Sequence, residues 1–112
     1  MRDRIGDKAR LQHILDAISE IEDYIDDVDF QDFETNSMMR NASIRQLEII
    51  GEASSRLSKE LKLENPTVNW KDIIGFRNII IHQYFGIDEK IVWDILKNDL
   101  QLLKKQIGKI CK

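Results

Sequence analysis

The chain has 112 residues, 42% hydrophobic and 33% charged, with a net charge of −3; that is the composition of one globular domain over residues 1–112, not of a disordered segment or two domains. The acidic balance, with a sequence pI near 5.4, argues against a protein that grips nucleic acid through bulk charge, so any such contact must be local. One cysteine, Cys111, excludes a disulfide framework. With no apolar h-region and no run of 18 apolar residues, the expectation is a cytoplasmic protein with no membrane span.

One Pro and five Gly leave room for long helices. The first is expected from Asp7 to Asp26, where Leu11, Ile14, Ile18, Ile21, Ile25 and Val28 recur at 3-4-3-4-3 spacing and make a seam. A loop over Asp29–Phe33 follows. The second helix starts at Thr35 or Asn36, either of which can cap it, and runs to about Leu61. Met39, Ala42, Ile49, Ile50, Ala53, Leu57 and Leu61 form its stripe, broadened by Ile44 and Leu47, so it packs on two neighbours. Asn65-Pro66 breaks the chain, because a residue before Pro avoids helical geometry.

The third element spans Trp70 to Phe85, with Asn69 as its cap. Its isoleucines and aromatics favour strands. Sixteen residues is long for a strand, and no other segment offers a partner, so it reads as a buried helix. Gly86 ends it and Asp88 caps a fourth helix, Glu89 to about Lys109, with Val92, Leu96, Leu100, Leu103, Ile107 and Ile110 as its stripe and Ile95 and Leu102 alongside. The fold class is therefore all-α, an up-down bundle of four to five helices.

Charge is segregated. Between Asp16 and Glu34 there are nine acids and no Lys or Arg; from Ile95 to Lys112 there are five Lys and one acid. Two solvated helix faces explain this, and so does an acidic surface that docks a basic partner. Two His on different helices and one Cys give no zinc site, and there is no Gly-rich phosphate loop, so no metal or cofactor is expected. Ser54-Ser55 is expected on a helix surface.

Chemistry is left with Arg77 to Tyr84. On a helix, Asn78 and His82 share a face, and Arg77, Ile81 and Tyr84 lie on the next one. Arg77 and His82 stand about 140° apart at ~100° per residue, so one helix does not clamp one phosphate with both. Two copies paired about a two-fold axis would bring two Arg and two His to one groove. Histidine titrates near neutrality and can move a proton to or from a ribose hydroxyl, arginine holds a phosphate bidentately, and Asn78 can orient either. The same spacing is met by interface polar groups with no catalysis.

The pattern Trp70-x-x-Ile73-x-x-Phe76-Arg77-Asn78-x-x-x-His82-x-Tyr84 resembles the signature of HepT-like proteins in the HEPN superfamily. Ile50 to Ser58, with Gly51-Glu52, is similar to the family's second-helix motif, and Asp88 and Val92-Trp93 fit as well. The resemblance implies a homodimeric HEPN bundle with metal-independent endoribonuclease activity on RNA and with Arg77 and His82 in the cleft. It implies a toxin whose partner is a minimal nucleotidyltransferase antitoxin, able to place AMP on Tyr84. Gly51 then allows close packing on the third helix, and Glu52 is placed to hold Arg77. The alternative is a non-catalytic accessory subunit that presents nucleotide or substrate to a nucleotidyltransferase.

Overall fold

The computed structural model describes residues 4–78 and 89–111, and every regular element among them is helical. α1 (Arg4–Ile25) and α3 (Ser37–Ser55) form the central antiparallel pair. Their opposed direction is fixed at both ends: Arg10 Nη1 donates to the Arg56 carbonyl at 2.9 Å, and Gln46 Nε2 donates to the Tyr24 hydroxyl at 3.3 Å. Between them lies the seam foreseen in α1, with Leu11, Ile14, Ile18, Ile21 and Ile25 all buried, against Ile44, Leu47 and Ile50 of α3. Each such side chain contributes about 1.5–3 kcal/mol by leaving water.

Where a loop was expected over Asp29–Phe33 there is a short helix, α2 (Phe30–Thr35). Asp29 caps it, accepting from Asp32 N–H at 2.8 Å, and Phe33 is fully buried. The expected second helix to Leu61 is also divided. α3 stops at Ser55, and α4 (Lys59–Glu64) begins anew behind Ser58. The cause lies across the fold. The buried Asp7 carboxylate accepts from Ser58 N–H at 2.8 Å and from Ser58 Oγ–H at 2.6 Å, while Ser58 Oγ accepts from Leu61 N–H at 3.1 Å. Ser58 thus caps α4 while itself held from α1. Ser54, expected on the surface with Ser55, is fully buried, and Ser55 is half-buried.

α5 (Trp70–Gly75) follows the Asn65-Pro66 break. Asn69 caps it by accepting from Asp72 N–H and donating to the Asp72 carboxylate at 2.7 Å, and Trp70 Nε1 donates to the Asn65 carbonyl at 3.0 Å. A 3₁₀ turn, Phe76–Asn78, continues it where a regular helix was expected. Ile79 to Asp88 lie outside the described residues, and with them the isoleucine cluster, the Gly86 stop and the Asp88 cap.

The last helix is interrupted too: α6 (Glu89–Asp94), a π segment (Ile95–Asp99) and α7 (Leu100–Ile110). Val92, Leu96 and Leu100 are spaced by four, a rhythm that drifts around a regular helix; the wider i→i+5 turn keeps all three buried. Trp93 packs against Phe33 with ring centroids 5.1 Å apart, joining α6 to α2. α7 lies on α1, where Lys104 Nζ stands 3.0 Å from Glu22 Oε1. Part of the segregated charge is therefore matched within the chain. Among the described residues no helix is long and apolar enough to cross a membrane.

Candidate functional site

Trp70, Ile73 and Phe76 recur every third residue and are buried, which turns the following pair, Arg77 and Asn78, outward. The 3₁₀ turn that carries them rests on α3 at Gly51. A Cβ built on Gly51 would stand 2.6 Å from the Arg77 backbone nitrogen, 3.0 Å from the Ile74 carbonyl oxygen and 3.1 Å from Arg77 Cβ. Only glycine admits that approach, so it sets the position of the arginine on the helix beneath it.

The next residue, Glu52, is exposed and holds two guanidiniums with one carboxylate. Its Oε1 accepts from Arg56 Nε at 2.9 Å, and its Oε2 stands 3.8 Å from Arg77 Nη1. With side chains 44–65% exposed, such pairs add less than about 1 kcal/mol to stability. Their consequence is directional: the Arg77 fork is drawn toward α3.

Arg77 and Asn78 form one wall of an open groove of about 750 Å³. α3 supplies Arg45, Glu48, Ile49, Glu52, Ala53 and Arg56, and α1 supplies Arg10 and His13. Four arginines face two glutamates, so this groove is locally basic in a chain that is acidic overall. With Ile49 and Ala53 as its only apolar lining among the described residues and charged side chains around them, the open groove suits an anionic ligand.

Of the residues singled out from the sequence, Arg77, Asn78 and Glu52 come together at this groove; His82 and Tyr84 lie outside the described residues. Arg10, His13, Arg45 and Arg56 are not among the site residues expected from the sequence. Their signal was available. Arg45, Glu48, Glu52 and Arg56 recur at 3-4-4 spacing, a charged stripe along one face of α3, and Arg10 and His13 are three apart on α1. Ile49, assigned to the apolar stripe, is only half-buried because it lies on the groove floor.

A second cavity, about 230 Å³, lies between α5 and α7 and is lined by Asn69, Asp72, Phe76 and Asp99 among others. Partial burial raises the Asp99 pKa, and the nearby charges of Asp72 and Asp94 raise it further. Among the described residues no group of three or more His, Cys, Asp or Glu is placed to hold a metal ion.

The chain is similar to known proteins over most of its length. The family described as Ribonuclease HepT-like matches residues 14–110. A protein of Methanocaldococcus jannaschii named "Putative RNase" is 43% identical over 100 residues, covering 89% of this chain and 92% of the relative. A second from that organism, "Gamma-glutamylcyclotransferase and putative RNase", is 40% identical over 103 residues, 92% of this chain but 46% of that longer protein. "Probable ribonuclease HepT" of Thermococcus cleftensis is 36% identical over 105 residues, 94% of this chain and 96% of its own length. No solved structure matches the chain.

Proposed function

Because this chain belongs to the Ribonuclease HepT-like family, we propose that it is a metal-independent endoribonuclease, with Arg77 and His82 as the groups that act on the scissile phosphodiester. The observation that carries this reading is the placement of Arg77. It projects into a basic groove from a turn locked on Gly51, with its guanidinium steered by Glu52. In the reaction, the ribose 2′-oxygen attacks phosphorus, the bond to the 5′-oxygen breaks, and a 2′,3′-cyclic phosphate and a 5′-hydroxyl result. His82 moves a proton at one of the two oxygens. Arg77 offers two N–H groups to the non-bridging oxygens as charge builds on them. Asn78, beside Arg77 in the groove, orients the imidazole or the substrate.

The wider system follows from the same reading. The protein is the toxin of a toxin–antitoxin pair and a homodimer in which the Arg77-bearing segment, residues 70–85, lies near the two-fold axis. Its partner is a minimal nucleotidyltransferase. The Tyr84 phenol oxygen attacks the α-phosphorus of ATP, pyrophosphate leaves, and the added AMP brings a phosphate and a base beside Arg77, silencing cleavage.

Purified protein incubated with RNA in EDTA tests the activity. Cleavage is expected to persist, and His82→Ala and Arg77→Ala, each folded by circular dichroism, are expected to lose at least ~10²-fold. A His82→Ala protein as fast as the parent removes the assignment. RNA binding without cleavage favours the accessory-subunit reading. Incubation with the partner and ATP should add one AMP by intact mass, and Tyr84→Phe should abolish the addition.

A further inference from the structure

The arginines of the groove are spread along it, and their spread extends the ribonuclease reading, on which this inference rests. α3 runs lengthwise along the groove floor. Gly51 touches the Arg77 backbone and so marks the level of Arg77 on that helix. At 1.5 Å per residue, Arg45 stands ~9 Å to one side of that level and Arg56 ~8 Å to the other. Arg10 joins the Arg56 end, where its Nη1 donates to the Arg56 carbonyl. His13, one turn along α1, faces the same groove and makes no hydrogen bond to another described residue.

The two groove carboxylates are both engaged: Glu48 pairs with Arg45, and Glu52 bridges Arg56 and Arg77. They fix the guanidiniums in place and still leave the groove with more positive than negative groups. A single phosphate at Arg77 uses the middle of this row. A stacked strand advances ~3.4 Å per nucleotide, so a row of ~17 Å outruns that nucleotide on both sides.

We propose that Arg45 at one end of the groove, and Arg10 at the other with His13 between it and Arg77, are backbone subsites for the nucleotides flanking the scissile phosphate of a single-stranded RNA. Guanidinium–phosphate pairing carries no base identity, so these subsites hold the strand in register and do not read its sequence. Each contact displaces condensed counterions, which makes the binding salt-dependent.

A 2′-O-methyl RNA octamer, which lacks the attacking hydroxyl, is the probe, with fluorescence anisotropy at several salt concentrations as the readout. Arg45 is 62% exposed, so its variants are expected to fold. Arg45→Gln should weaken binding about tenfold and reduce the log–log salt slope by ~0.7, Arg45→Lys should restore the slope, and His13→Asn should weaken binding on the Arg10 side of Arg77. Unchanged affinity in both Arg45→Gln and His13→Asn, or no octamer binding by the parent, overturns the subsites. Cleavage of unmodified RNA in the same samples separates the two readings. Arg45-dependent octamer binding without any cleavage overturns the ribonuclease and leaves the subsites standing.

Discussion

Gly51→Ala separates helix propensity from site geometry. Within α3 alone, alanine is favoured over glycine by about 1 kcal/mol. The new methyl, however, would stand 2.6 Å from the Arg77 nitrogen, a backbone atom that cannot swing aside. Reaching ordinary contact at 3.4 Å requires the turn and α3 to part by about 0.8 Å. Overpacking of this kind costs ~1–3 kcal/mol, so the net expectation is a loss of about 0–2 kcal/mol. The catalytic cost is larger, because a misplacement near 1 Å can cost ~10²-fold. Urea denaturation measures the first quantity and single-turnover RNA cleavage the second. Gly108→Ala in α7 is the control: its Cβ would meet nothing within 4 Å, so it should gain up to ~1 kcal/mol from propensity and leave cleavage unchanged. If Gly51→Ala is stabilised like Gly108→Ala and keeps full activity, the contact between Gly51 and Arg77 does not position the arginine.

Asp7→Ala removes the two hydrogen bonds by which a buried carboxylate holds Ser58, the α4 cap, so denaturation should show a loss of about 3 kcal/mol; a loss under ~1 kcal/mol means that Asp7 does not hold that cap in place. Asp27 adopts φ 57°, in the left-handed region, so Asp27→Gly should raise stability by about 0.5–1 kcal/mol, and an unchanged midpoint denies strain there. Asp99 has a folded-state pKa raised chiefly by burial and then by Asp72 and Asp94. Its folded form holds the proton more tightly than the unfolded chain does, so the stability it contributes is complete below the ordinary aspartate value of 3.8 and is lost as pH rises through the raised value. Asp99→Asn should therefore melt higher than the parent at pH 7, with the gap closing toward pH 4; a constant gap across that range rejects the linkage.

The parts of the fold that could be read from sequence are those fixed by local periodicity. The α1 seam is written in the spacing of Leu11, Ile14, Ile18, Ile21 and Ile25, and all five are buried. The Asn69 cap and the Asn65-Pro66 break are local as well, and α5 begins and α4 ends where they require. The breaks that were missed depend on distant partners or on small adjustments. No Gly or Pro marks the end of α3 at Ser55; the restart at Ser58 is held by Asp7, 51 residues away in sequence. The π segment leaves only a spacing of four between Val92, Leu96 and Leu100, which a regular helix nearly accommodates. Asp29 did advertise α2, since an aspartate three residues before an acid in a first turn is a capping signal. A six-residue helix is simply too short for periodicity to reveal.

The site divides in the same way. Arg77 and Asn78 could be singled out because their residue types suit phosphate chemistry and because the surrounding pattern resembles a known signature. Glu52 could be placed beside Arg77 only through that resemblance, since no local rule links residues 25 apart, and the 3.8 Å pair forms because Gly51 lets the two backbones meet. The remaining cations were hidden by the average. A net charge of −3 says nothing about a groove whose four arginines come from α1, α3 and the 3₁₀ turn. The acids that set that average lie elsewhere, on the α1–α2 segment, where Glu22 faces Lys104 of α7. Acidic composition argues against nucleic-acid binding only when charge is spread evenly over the surface. Here it is sorted: four arginines line the groove, and Glu22 meets Lys104 outside it. An extended anion would thus meet a local excess of positive charge beside Arg77 that the net charge of the chain conceals.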